Sequence, residues 1–242
     1  MLNFFNKQPK KKAIQPLFVD FHSHFLPGLD DGCTTLEESI TLIQQMKNYG
    51  YQKLIMSPHN MGDFYKNTPE IIVAKLAEVK KAVMDSGIDI QLEATAEYYL
   101  DEWFEEKLKT KSLLPFGGNK ILFEISYINE PKNLFDTLFK LQVAGYQPIM
   151  AHPERYSFFH SQFDVYEKLI LQGCQLQVNL LSLIGYYGVM EKKVATELLE
   201  KKMVAYLCSD AHKQKHVELL AEVFKSNLFR SSSQQIKNNE LF

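Results

Sequence analysis

The sequence is poor in cysteine, poorer still in arginine, and free of long apolar runs. Its 242 residues include three cysteines, Cys33, Cys174 and Cys208. With no CxxC pair and an odd count, they suit reduced thiols and argue against a disulfide scaffold. None has an arginine six positions later, so the C-x5-R phosphate loop of cysteine phosphatases is excluded. No apolar stretch approaches the ~18 residues of a membrane span. The opening MLNFFNKQPKKK sets its apolar residues ahead of its lysines and carries no signal-peptide core. Charge of one sign is also missing. The 27 basic and 29 acidic side chains leave a net −2, which gives no electrostatic reason to expect nucleic acid. Arg155 and Arg230 are the only arginines, and a chain this biased toward lysine keeps arginine for places that need a planar fork. The expectation is a soluble cytoplasmic protein with no integral membrane segment. Its oligomeric state is open, a homo-oligomer included.

What is present is an alternation. After a basic leader over residues 1–16, seven short runs rich in Ile, Val, Leu and Phe fall at 17–21, 51–57, 88–96, 120–126, 146–151, 174–180 and 203–209. Bounded by glycine, proline or charge, they read as buried strands. Helical spacing fills the gaps. Residues 35–50 open on Thr35 and Glu38 as a capping box and close on Gly50. Thr68 and Pro69 open a second helix, and Pro131 is expected to open another over 131–144. Further helices fit 101–110, 162–173, 189–202 and 214–226. Strands alternating with helices imply parallel pairing and right-handed crossovers. The expected fold is therefore α/β, an open sheet or a closed barrel, as a single domain over residues 17–226. The Ser-, Gln- and Asn-rich tail over 227–242 is expected to fray. Lys7 and Lys10 to Lys12 read as a solvated leader or a contact for an anionic surface.

The chemistry sits at the ends of the runs. His22 and His24 end the first, His59 the second and Glu97 the third. Glu124 lies near the end of the fourth, His152 ends the fifth, and Asp210 with His212 ends the seventh. The sixth offers only Asn179. One histidine beside a strand end is ordinarily a solvated loop residue. Here five of seven histidines occupy such ends, and in a parallel barrel those ends converge on one face. The HxH spacing puts both imidazoles on one side of a strand. Imidazoles with carboxylates suit divalent Mn, Fe or Zn. Cys33 and Cys208 are read as packing. Asp20 is a candidate to orient a ligand histidine, while Glu37, Glu38 and Glu154 are read as caps or supports. Phe64, Tyr65, Tyr98, Tyr99, Tyr156, Phe158 and Phe159 form either a rim for a ring-shaped substrate or ordinary loop packing.

The stretches DFHSHFLPGLDDG (20–32), SPH (57–59), AEYYLD (96–101), FEIS (123–126), AHPERY (151–156) and SDAH (209–212) occur in the order of a known family. The chain resembles PHP-domain phosphoesterases, specifically the metal-dependent protein-tyrosine phosphatases of bacterial capsule and exopolysaccharide operons. The resemblance covers residues 20 to about 215 and implies a distorted seven-stranded parallel (β/α) barrel. It implies three divalent ions, with Mn favoured and Fe or Zn as alternatives. One would take His22, His24, Glu97 and Asp210, with Glu97 bridging to a second held by Glu124 and His152. Asp31, His59 and His212 would hold the third. Arg155 matches the family's phosphate-facing arginine, and Asp210 and His212 join it as catalytic residues. The implied reaction is attack on phosphotyrosine by a metal-bridged hydroxide. The implied partner is the tyrosine-rich tail of a membrane-bound bacterial tyrosine kinase. Thr95 and Asn60 depart from the family pattern, which bears on substrate preference. Three other readings stay open: a histidinol-phosphatase-like enzyme for small phosphate monoesters, an amidohydrolase, and a non-catalytic, metal-stabilised kinase-binding module.

Overall fold

The computed structural model describes residues 17–242; the basic leader lies outside the described residues. Every ladder between named strands is parallel. One sheet has the order β1-β2-β4, built from Val19–Asp20, Lys53–Met56 and Gln91–Ala94. The other has the order β3-β5-β6-β7-β8-β9. Its strands are His59–Asn60, Glu97–Tyr99, Lys120–Glu124, Gln147–Ala151, Gln175–Asn179 and Val204–Cys208.

The parallel α/β architecture is as expected, but the strand arrangement differs from one seven-stranded barrel. Two of the seven runs are broken. Ser57 and Pro58 separate β2 from β3, and Thr95 and Ala96 separate β4 from β5. Pro58 has no N–H to give a ladder. Single hydrogen bonds carry the chain across these breaks: Ser57 N–H to Ser23 O (2.9 Å), Thr95 N–H to Met56 O (2.8 Å) and Glu97 N–H to Pro58 O (3.0 Å). At the other side, Ser23 and Ala211 form an isolated parallel bridge between the extensions of β1 and β9.

The helices follow the apolar spacing. In α1 (Leu36–Asn48) Leu42, Ile43 and Met46 are buried behind a complete Thr35–Glu38 capping box. In α2 (Pro69–Asp85), Ile72, Leu76, Val79 and Val83 form the inner stripe, with Thr68 as cap. Next come α3 (Glu102–Thr110) and α4 (Leu134–Val143). Pro131 does not open α4. It sits in a preceding turn where its carbonyl accepts from Leu134 N–H, and Asn133 is the cap. Then follow α5 (Asp164–Leu171), α6 (Val189–Glu200), α7 (Gln214–Lys225) and α8 (Asn227–Ser232). A second buried cluster, including Val19, Phe21, Ile55, Leu122, Ile149, Tyr206 and Cys208, draws on strands of both sheets.

The tail is folded rather than frayed. Beyond α8 it turns through two short 3-10 segments, burying Phe229, Asn238 and Leu241. Its polar composition has a use there. Asn238 Nδ2 donates to Val19 O (3.0 Å) and Leu207 O (2.8 Å), and its Oδ1 accepts from Leu207 N–H (3.0 Å).

Candidate metal centre

The nine donor residues expected from the sequence all reach one cluster, where β1, β2, β4, β6, β7 and β9 end and where β3 and β5 begin with His59 and Glu97. Each belongs to at least one group whose ligand atoms lie within 4.8 Å of one another. Glu97, opening β5, is the hub. Its Oε2 lies 3.2 Å from His22 Nε2, 3.5 Å from His24 Nε2 and 3.1 Å from His59 Nδ1, while Oε1 lies 2.9 Å from His152 Nε2. Asp210 Oδ1 is 3.4 Å from both His22 Nε2 and His24 Nε2. Glu124 Oε1 is 3.0 Å from His59 Nδ1. Asp31 Oδ1 meets His59 Nε2 at 3.5 Å and His212 Nε2 at 3.3 Å. His59 thus faces two donor groups at once, one through each ring nitrogen.

The residues fit divalent ions. His22 Nε2, His24 Nε2, His59 Nδ1 and Glu97 Oε2 are buried polar atoms without a hydrogen-bond partner, an expensive arrangement unless a cation satisfies them. Donor spacings of roughly 3–3.5 Å are those that bonds of ~2.1 Å to a shared ion impose. Four carboxylates face five imidazoles, a donor set of nitrogen and oxygen with no thiolate. Burial alone would raise the Glu97 and Asp210 carboxyls, but the neighbouring imidazoles, His22 foremost, hold both well below their usual range. Burial pulls the His24 imidazole down, and the Asp30 carboxylate overrides it and raises it to about 10. Without a cation the cluster therefore attracts protons, and a metal competes for the same positions.

Backbone strain marks the cluster. His152 (φ 34°) and Asp210 (φ 48°) both take left-handed conformations that cost a non-glycine residue of order 1–3 kcal/mol. Gly32 is required by close approach, because a Cβ there would lie 2.1 Å from the His24 carbonyl oxygen.

The supporting shell differs from the expectation. Among the described residues Asp20 makes no hydrogen bond to a histidine; it accepts from Ser209 N–H (2.9 Å) and Oγ (2.7 Å) and so fixes the turn before Asp210. The orienting partners are Asp30, whose Oδ2 lies 2.6 Å from His24 Nδ1, and Gln177, whose Oε1 lies 2.7 Å from His22 Nδ1. With these oxygens accepting at Nδ1, both histidines present Nε2 to the cluster. Gln177 sits at a register shift between β8 and β9, a departure that no local pattern announces. Glu154 is a buried brace, accepting from Asn179 N–H and Ser182 Oγ. Asn179 Nδ2 in turn donates to Asp210 Oδ2 (2.6 Å).

The aromatic rim read from sequence is mostly packing. Tyr98, Tyr156 and Phe159 are fully buried, whereas Tyr65 stacks on His59 and Phe64 is exposed. Two unforeseen tyrosines, Tyr127 and Tyr187, instead line the cleft above the cluster with Arg155, Lys213 and His216; its volume is about 310 Å³. Cys33 and Cys208 are buried, and burial pushes both thiols up, Cys33 to about 12, which suits packing.

Residues 18–222 match the family model described as capsular polysaccharide synthesis, CpsB/CapC. The chain is 28% identical over 198 residues to the tyrosine-protein phosphatase YwqE of Bacillus subtilis, covering 81% of this chain and 78% of that one. It is 28% identical over 214 residues to the tyrosine-protein phosphatase CpsB of Streptococcus agalactiae, covering 86% and 88%. A crystal structure from work on YwqE from Bacillus subtilis and CpsB from Streptococcus pneumoniae, described as metal-dependent tyrosine phosphatases, superposes with a TM-score of 0.80 at 25% identity, over 92% of this chain and 93% of that one. A histidinol phosphate phosphatase from Lactococcus lactis, with a TM-score of 0.53 at 11% identity over 86% and 93%, shares the fold. The chain belongs to the CpsB/CapC capsular polysaccharide synthesis family.

Proposed function

We propose that this protein is a metal-dependent protein-tyrosine phosphatase that hydrolyses phosphotyrosine. The observation that carries the reading is the joint placement of nine N/O donors, several buried and unpartnered, beneath a cleft walled by Arg155. His22, His24, Glu97 and Asp210 would hold one ion, Glu97, Glu124 and His152 a second, and Asp31, His59 and His212 a third, with Mn favoured over Fe or Zn. Bound there, such ions lower the pKa of the attacking water and neutralise charge on phosphoryl oxygens. The protein's own groups do the rest. Arg155 offers N–H donors to the non-bridging oxygens. Asn179 and Arg155 together hold Asp210 Oδ2 (2.6 and 3.2 Å), leaving Oδ1 toward the histidines. A tyrosyl leaving group, with a pKa of ~10, needs little proton assistance.

We read the seven sequence units as one distorted ring. The Ser23–Ala211 bridge and the bonds from Asp210 N–H to His22 O and from His24 N–H to Ala211 O support that closure. The substrate we favour is the tail of a bacterial tyrosine kinase that controls capsule or exopolysaccharide synthesis, met in the cytoplasm. The family description supports the link to capsule synthesis, and the relatives' names support a phosphotyrosine protein as substrate. Among the described residues no helix is long and apolar enough to cross a membrane.

The test is phosphate release from a phosphotyrosine peptide and from a small phosphate monoester. It uses metal-stripped protein resupplied with Mn, Fe, Zn, Co or Mg, beside a His22→Ala/His24→Ala double variant. Metal-dependent turnover of the peptide, lost in the double variant, is expected. Preference for the small ester would replace the substrate class, and no turnover by folded, metal-loaded protein would remove the enzyme reading.

A further inference from the structure

We propose that Tyr127 and Tyr187 are positioning residues that clamp the Arg155 guanidinium between their rings and leave its N–H edge free for phosphate oxygens. The ligand in this inference rests on the phosphatase reading above; the clamp itself rests on geometry. The guanidinium carbon lies 4.8 Å from the Tyr127 ring centroid and 4.3 Å from that of Tyr187, inside the ~6 Å range of cation–π attraction. A ring holds the cation by its flat face and so occupies none of its N–H donors. Arginine has five. Among the described residues its side chain makes one hydrogen bond, Nη1 to Asp210 Oδ2 at 3.2 Å. A second carboxylate in place of the rings would hold the arginine equally well and consume the donors that an oxyanion needs.

The far ends of both tyrosines are tied to the donor cluster. Tyr127 Oη lies 3.4 Å from each ring nitrogen of His152. Tyr187 Oη accepts from Asn179 Nδ2 at 3.5 Å, the same nitrogen that donates to Asp210. Each tyrosine therefore lies between the arginine and a side chain that would hold or support the proposed metals. The clamp sets where the guanidinium stands relative to them. Without it, a long side chain that is 25% exposed regains rotamer freedom and must be ordered anew by each ligand.

The test exploits the scarcity of arginine. Arginine-selective ¹⁵N labelling gives two Nε–H signals, from Arg155 and Arg230. In the wild type the Arg155 signal is expected to be shifted by the two rings, and in Tyr127→Leu/Tyr187→Leu it moves to the position of a free side chain while Arg230 stays put. Arg230 moving as well would report misfolding, and the wild-type spectrum and the Phe variants then decide. Inorganic phosphate binding to metal-loaded protein is measured alongside. The double Leu variant is expected to weaken it about tenfold, the equivalent of ~1.4 kcal/mol. Tyr127→Phe and Tyr187→Phe, which keep the rings, are expected to restore most of the affinity. In an Arg155→Ala background the Leu substitutions are expected to add nothing, because the tyrosines act through the arginine. An unshifted Arg155 signal in the wild type, or equal losses with and without Arg155, would overturn the clamp. Absence of peptide turnover would count against the phosphatase reading alone, since neither the spectrum nor phosphate binding requires it.

Discussion

Asp30 and Asp31 are adjacent in the loop after His24, yet the fold gives them different work. Asp31 stands at the cleft with its side chain 57% exposed and faces His59 and His212. Asp30 has no exposed side-chain surface. Its Oδ2 serves both His24 Nδ1 (2.6 Å) and His59 N–H (2.9 Å), and Oδ1 accepts from Gly32 N–H (3.0 Å). Burial opposes its ionisation, but the neighbouring His24 imidazole holds its carboxyl below the usual range. Asp30→Asn keeps the size but removes the charge and turns an NH₂ toward one of three donors. By removing the group that fixes the His24 tautomer, it is expected to weaken metal binding by about 10–100-fold, measured by competition with a chelator. Unchanged affinity would mean that Asp30 shapes the loop and nothing more.

At the scale of elements, the clearest local signal is the start of α1. Thr35 Oγ1 accepts from Glu38 N–H, while Glu38 Oε2 accepts from both Thr34 and Thr35 N–H. Thr35→Ala is expected to cost about 1 kcal/mol, a fall in Tm of roughly 2–4 °C for a chain of this size, read by thermal unfolding. The same box has a pH signature. Hydrogen bonds from Thr34 and Thr35 hold the Glu38 carboxyl below its usual value. Its share of stability is therefore present above the unfolded pKa of ~4.3 and is lost as pH falls below it. The Thr35→Ala deficit, by contrast, should persist in acid, because the lost Oγ1 acceptor does not titrate and the donors to Glu38 remain. Such caps, the helical stripes and the donors at strand ends were legible because each is a local pattern. Gln177, Asp30, Tyr127 and Tyr187 were not, because their roles arise only when distant strands meet. The two broken strands were hidden for a related reason. An apolar run shows that a segment is buried, not that its ladder stays unbroken past Pro58 or Thr95.

On the scale of the whole molecule the misread tail is instructive. Serine, glutamine and asparagine suggested fraying, but the edge strands β1 and β9 present peptide groups that must be paired when covered. Asn238 answers three of them, at Val19 and Leu207. Asn239 Oδ1 accepts from Phe18 N–H (2.7 Å), and Lys53 Nζ, while paired with Glu93, donates to the carbonyl of Leu241. Residues 227–242 thus bridge β1 and β9, the edge strands of the two sheets. Asn238→Ala leaves buried peptide groups without partners at about 1–3 kcal/mol each. With some relaxation, a total loss of ~2–4 kcal/mol and a fall in Tm of roughly 5–10 °C are expected. Metal affinity and peptide turnover below the transition should stay at wild-type levels, because the lost bonds go to peptide groups of Val19 and Leu207, three residues before His22 and Asp210, and not to a donor side chain. If Tm does not move, the tail is not part of the folded unit in solution. If metal affinity falls with Tm, the seam between β1 and β9 also sets where His22 and Asp210 stand, and the tail tunes the donor cluster as well as sealing the fold.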